Sequence, residues 1–145
     1  MEKKIYFDCD GTWIDLYGVN GWLDDLINYR TRPYTEAKPL INLATFARLI
    51  HKLQAKGYRI GIITWLSKDS TAEFDKAVTT AKLEWLKKHI PSVTWDEIHI
   101  IPYGTPKSKY GNKNAILFDD EKPNRDNWNG IAYDEKNILE ILRTL

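Results

Sequence analysis

The sequence predicts an α/β fold: one domain over residues 1–145, with a central, mostly parallel five-stranded sheet covered by helices on both faces and a small insertion after the first strand. Three observations carry this. Short apolar runs such as Ile5-Tyr6-Phe7 and "YRIGIITW" read as buried strands. Segments of helical period alternate with them. No repeat, low-complexity tract or linker divides the chain, and 145 residues suit a single core.

The elements follow in order. "KKIYFDCDGT" opens with a strand and leads into an aromatic, turn-rich insertion at about 13–38 that has no clean period. Residues 40–56 are predicted helical, because Leu43, Phe46, Ala47, Leu49, Ile50 and Leu53 recur on one face; Pro39 lies near the start and Gly57 is the stop. "YRIGIITW" is the second strand. Ser70 and Glu73 have capping-box spacing ahead of a helix whose stripe is Phe74, Ala77, Val78, Ala81, Trp85 and Leu86, with Pro91 beyond it. "EIHIIPY", "NAILFDD" and "GIAYD" are the third, fourth and fifth strands, and Glu135 to Arg143 form a closing helix.

Composition narrows the partners. Twenty-one basic and 20 acidic residues leave a formal charge of +1, which gives no electrostatic footprint for duplex DNA or an anionic membrane. No apolar run approaches the ~20 residues of a membrane span, and Met1-Glu2-Lys3-Lys4 runs straight into a strand with no signal-peptide core. The single cysteine, Cys9, precludes an internal disulfide, so the expected setting is cytoplasmic.

Ligands of an open parallel sheet bind beyond the carboxyl ends of its strands, where strand order reverses. Here those ends carry Asp8-Cys9-Asp10-Gly11-Thr12, then Thr64-Trp65, then "YGTPKSKY" with Lys107 and Lys109, then Asp119-Asp120. Carboxylates brought that close repel unless a cation lies among them, and oxygen-only ligands select a hard ion such as Mg²⁺. A magnesium ion, a lysine and a threonine hydroxyl together make a receptacle for a phosphoryl group. A carboxylate not needed purely for the metal is then a nucleophile toward phosphorus. Residues i and i+2 of an extended segment point the same way, so Asp8 and Asp10 are able to face one site, and Gly11 allows the sharp turn after them.

"FDCDGT", Thr64, a lysine after the third strand and "LFDDE" resemble, in order, the four motifs of the haloacid dehalogenase superfamily. That resemblance implies a Rossmann-like three-layer sandwich and an Mg²⁺-dependent phosphomonoester hydrolase working through an aspartyl-phosphate. It implies Asp8 as nucleophile, Asp10 as general acid and then base, and Thr64 and Lys107 as phosphoryl-binding residues. Mg²⁺ would be ligated by the Asp8 carboxylate, the Asp10 backbone carbonyl and Asp119, with Asp120 beside them. Lys107 is preferred because Lys107-Ser108 resembles the nucleotidase branch, where lysine precedes serine or threonine; Lys109 remains the alternative and Lys113 a further one. "ILFDDEKPNRDNW" and "GTPKSKY" look most like the deoxyribonucleotidase-like branch and its small phage-borne members, which implies a nucleoside 5′- or 3′-monophosphate as substrate.

The insertion stands where that superfamily carries its specificity cap, and it is minimal. It holds Trp13, Tyr17, Trp22, Tyr29 and Tyr34 beside Arg30 and Arg32. Rings there either build the cap's own small core or stack on a nucleobase or sugar. Thr12, Trp13, Trp22, Trp65 and Arg30 are the expected substrate contacts. Cys9, between two residues that face the site, is expected to pack inward, and His51, His89 and His99 lack metal-ligand spacing. An open site also admits the 3′-phosphate of a nucleic-acid end, and a catalytically silent nucleotide- or partner-binding protein is the alternative from another class.

Overall fold

Ile5, Tyr6 and Phe7 form the buried end of β1 (Lys3–Phe7), the middle strand of the main sheet in the computed structural model, which describes residues 2–145. The chain then turns tightly: the amides of Thr12, Trp13 and Ile14 all donate to the Cys9 carbonyl, at 3.1, 3.2 and 3.2 Å. Gly11, at φ +79°, makes this turn possible, and a Cβ there would lie 2.5 Å from Asp120 Oδ2.

The insertion has more regular structure than its sequence suggests. It contains β2 (Ile14–Asp15), α1 (Trp22–Ile27), α2 (Arg32–Glu36) and β3 (Lys38–Pro39), and the antiparallel β2–β3 pair closes its base. The buried Asp25 carboxylate, paired with Arg30 and Arg32, ties the two short helices together.

Next comes α3 (Leu43–Ala55), capped by the Asn42 side chain accepting the Thr45 amide at 3.0 Å and stopped at Gly57, φ +99°. It leads to β4 (Tyr58–Trp65) and α4 (Ala72–His89). The cap of α4 is Thr71, whose Oγ1 accepts the Phe74 amide, so the Ser70 capping position is corrected by one residue. There follow β5 (Glu97–Ile101), a single 3₁₀ turn at Lys107–Tyr110, β6 (Ala115–Phe118), α5 (Lys122–Asp126), β7 (Ala132–Tyr133) and α6 (Ile138–Thr144).

The sheet order is β5-β4-β1-β6-β7, and every pairing is parallel. Ile5 faces Ile60 on one side and Ile116 on the other. From β1 the chain moves outward through β4 to β5, then returns to the opposite side of β1 for β6 and β7. With right-handed crossovers this sends α3 and α4 to one face, and the 3₁₀ turn and α5 to the other. The larger core lies on the first face, where Phe46, Ile50, Trp85 and Leu86, with Ile138 and Leu142 of α6, pack on Ile5, Phe7, Ile60, Ile62 and Phe118. Tyr6, Ile63, Leu117 and Trp128 form a smaller core on the second. The order reverses at β1, so the carboxyl ends of β1 and β6 flank the switch point. Among the described residues no helix is long and apolar enough to cross a membrane.

Candidate functional site

Both aspartates after β6 and both after β1 arrive at this switch point. The Asp8 amide donates to the Phe118 carbonyl at 2.9 Å, and the Asp119 amide to the Tyr133 carbonyl at 3.0 Å, so each carboxylate is rooted in sheet pairing. One oxygen each from Asp8, Asp119 and Asp120 lie within 4.8 Å of one another. Asp8 and Asp119 are buried, and Lys107, itself buried, places its Nζ 2.8 Å from Asp8 Oδ1 and 2.7 Å from Asp119 Oδ2. Of the candidate lysines, Lys107 is therefore the one that reaches the carboxylates, while Lys109 and Lys113 are exposed.

Three carboxylates facing one ammonium leave an excess of negative charge. Burial pushes the Asp119 and Asp120 carboxyls up, and repulsion from Asp8 pushes them further. Burial opposes ionisation of Asp8 too, but Lys107 and the hydrogen bonds around it outweigh burial and hold Asp8 below the ordinary carboxylate range. Burial works against the charge of Lys107, yet Asp8 and Asp119 prevail and raise it.

Thr12 clamps this cluster. Its Oγ1 lies 2.9 Å from Asp8 Oδ2 and 3.0 Å from Asp120 Oδ1, and it accepts the Asp120 amide at 3.1 Å. A hydroxyl has one proton, so it cannot donate to both carboxylates; the second contact is satisfied when Asp120 itself carries a proton. A divalent cation would take the place of that proton. The donor set, all oxygen and over-supplied with negative charge, fits a hard ion such as Mg²⁺.

The Asp10 carboxylate lies outside this cluster. Lys82, a buried residue of α4, donates to Asp10 Oδ2 at 2.7 Å and to Thr64 Oγ1 at 2.9 Å, with its ammonium 4.9 Å from the centre of the Tyr34 ring. Burial outweighs Lys82 at Asp10 and raises its carboxyl, whereas Asp10 outweighs burial at Lys82 and keeps the ammonium charged. Lys82 is absent from the expected site. Its signal was available, since Phe74, Val78 and Lys82 are spaced four residues apart and so share the buried stripe of α4, where an unpaired lysine is not tolerated.

Asp8 and Asp10 open into a cleft of about 570 Å³ walled by Tyr17, Trp22, Leu23, Ile27 and Tyr29 of the insertion on one side. Trp65, Lys68 and Tyr103 stand among the remaining walls. Trp22 packs edge-on against Tyr17 at 4.9 Å, and Trp65, its Nε1 donating to the Thr105 carbonyl, packs on Tyr103 at 4.9 Å.

Three expected substrate contacts are corrected. Trp13 is fully buried against Phe46, Trp85 and Trp95, because the turn onto the Cys9 carbonyl swings it into the main core. Arg30 is occupied by Asp24 and Asp25 and does not line the cleft. Thr12 is buried beneath the carboxylates rather than open to the cleft. Cys9 packs in the core, where burial pushes its thiol up to about 12. His51 meets the Ser92 carbonyl, His89 stacks on Trp85, and His99 pairs with Glu97, all outside the cleft lining. Comparison with known proteins finds no matching family model and no matching curated protein.

Proposed function

We propose that this chain is an Mg²⁺-dependent phosphomonoester hydrolase of the haloacid dehalogenase type, acting on nucleoside monophosphates through an aspartyl-phosphate on Asp8. The observation that carries the reading is the pairing of an ionised, lysine-held Asp8 with a second carboxyl, Asp10, both opening into one aromatic-walled cleft at the switch point.

Asp8, Asp119 and Asp120 would hold the ion, with the Asp10 carbonyl as the further ligand the motif implies; when bound, the ion supplies charge neutralisation to the phosphoryl oxygens. The chain's own groups do the rest. Lys107 holds the phosphoryl group against Asp8; Thr64, the second phosphoryl contact the motif implies, is buried behind Asp10 and does not line the cleft. An Asp8 oxygen attacks phosphorus as the bond to the ester oxygen breaks, and Asp10 gives its proton to the departing alkoxide. Water then attacks the phosphorus of the acyl phosphate, Asp10 takes a proton from it, and the Asp8–phosphorus bond breaks to release orthophosphate. The raised Asp10 carboxyl suits the first role, because a general acid must enter the step protonated. The aromatic walls suit a substrate with a flat apolar portion, and the cleft exceeds what a phosphate alone needs.

The test is orthophosphate release from a panel of nucleoside 5′- and 3′-monophosphates, a 3′-phosphorylated oligonucleotide and an aryl phosphate, with Mg²⁺ and with EDTA. Mg²⁺-dependent release that is fastest on mononucleotides is expected. A preference for the oligonucleotide would move the substrate to nucleic-acid ends. No release from any ester would leave a nucleotide-binding protein without chemistry.

A further inference from the structure

Lys82 is buried, carries a charge and touches none of the three clustered carboxylates. We propose that Lys82 is a positioning residue that assigns the working atoms of Asp10 and Thr64, an inference that rests on the phosphatase reading above. An ammonium only donates. At 2.9 Å from Lys82 Nζ, Thr64 Oγ1 must therefore act as the acceptor, which leaves its single proton to point elsewhere. A hydroxyl on its own rotates among several directions; this one, buried behind Asp10 and outside the cleft lining, keeps its oxygen on the ammonium, so its proton is directed away from Lys82. The same ammonium claims Asp10 Oδ2 at 2.7 Å and leaves Oδ1 as the oxygen open for proton transfer.

The arrangement is rigid on all sides. Lys82 projects from an 18-residue helix whose neighbouring turns are anchored by Val78 and Trp85, and the Tyr34 ring covers the ammonium from the insertion. Asp10 lies in the turn after β1 and Thr64 near the end of β4, 54 residues further on, and Lys82 is the group that contacts both. Without it, neither the acid nor the Thr64 hydroxyl has a fixed orientation.

Leaving-group chemistry separates this role from mere support. An alkyl phosphate, such as a nucleoside 5′-monophosphate, needs its leaving oxygen protonated; p-nitrophenyl phosphate leaves as a stable phenolate and hardly does. In Lys82→Met, kcat for the alkyl ester is expected to fall about 10²-fold or more, the scale of a misplaced general acid, while kcat for the aryl ester falls at least tenfold less.

Equal losses on the two esters in a variant that melts like wild type, or no loss on either, would overturn the proposal. Where Lys82→Met does not fold, the pair Asp10→Asn with Lys82→Met removes both charges together, which proteins tolerate far better than half a pair. Its alkyl-to-aryl ratio must then equal that of Asp10→Asn alone, because Lys82 acts through Asp10; a further drop overturns the proposal. Wild-type protein that hydrolyses neither ester sinks the phosphatase reading and this role with it, whereas wild-type turnover with an unchanged ratio sinks only the role of Lys82.

Discussion

Replacing Lys107 with methionine keeps most of the side chain's volume and removes the ammonium between Asp8 and Asp119. Its two contacts, at 2.8 and 2.7 Å, each carry a gross attraction of about 6 kcal/mol at an effective dielectric of about 20. Two effects reduce the net value. Lys107 is freed from its own desolvation penalty, and the stranded carboxyls take up protons rather than stay charged at close range. The expected loss is about 3–5 kcal/mol, as for breaking a buried pair from one side. In a chain of this size that is a fall in Tm of about 10–15 °C. Urea unfolding near neutral pH in EDTA reads the loss directly. Excess Mg²⁺ should then stabilise the variant more than wild type, because a divalent ion among Asp8, Asp119 and Asp120 returns the missing positive charge. A variant within about 1 kcal/mol of wild type in EDTA, the scale of a neutral surface change, would refute the reasoning.

Asp8→Asn should cut phosphate release by about 10³-fold or more while the far-ultraviolet spectrum stays that of wild type, since the amide is nearly isosteric but a poor nucleophile. Retention of a tenth of wild-type turnover would remove Asp8 from that role. Trp22→Ala should raise KM for nucleotides by an amount worth about 1–3 kcal/mol and leave an aryl phosphate nearly unaffected; a lower Tm with unchanged KM would assign the ring to the insertion's own packing against Tyr17. Glu97 provides a pH test away from the cleft. Burial alone would raise its carboxyl, but hydrogen bonds from His99, Tyr6 and Lys4 prevail and hold it down to about 2. Its stabilisation is therefore complete above its ordinary value of 4.5 and lost as pH falls through about 2. Glu97→Gln should cost about 1 kcal/mol near neutral pH after solvent screening, and the deficit should vanish in acid unfolding; an equal deficit in acid would point to lost packing instead.

The strands were legible because each is a short apolar run between turn residues, and the site was legible because its carboxylates sit where those runs stop. Asp8, Asp10, Thr64 and Asp119 needed only the rule that ligands collect at carboxyl strand ends. What the pattern concealed depends on directions that a tight turn or a helix decides. Trp13 follows the Asp-x-Asp-Gly-Thr run directly, yet three amides converging on the Cys9 carbonyl turn it away from the cleft. Arg30 reads as free in sequence because its partners Asp24 and Asp25 come into reach only when α1 forms. Lys82 reads as one more solvated helix lysine until its place on the Phe74–Val78 stripe is noticed. The short α1 and α2 have too few turns for a period to emerge, so their existence rests on tertiary contacts rather than on propensity.

The central place of β1 also has a consequence for how the chain is made. Its strand is made before both of its neighbours, and the lysine that steadies Asp8 lies 99 residues downstream. At about 5–20 residues per second, that interval lasts on the order of 5–20 s. Until β4 follows, Ile5, Tyr6 and Phe7 present an apolar ribbon with two open edges, and the edge that β6 will cover stays open for the whole interval, the sort of segment that invites wrong partners and holdase chaperones. Ordering β1 at either edge depends on non-local pairing, which places this chain among slow, closure-limited folders. The carboxylate cluster assembles only when β6 docks beside β1, so nascent or truncated chains ending before Ala115 lack it altogether.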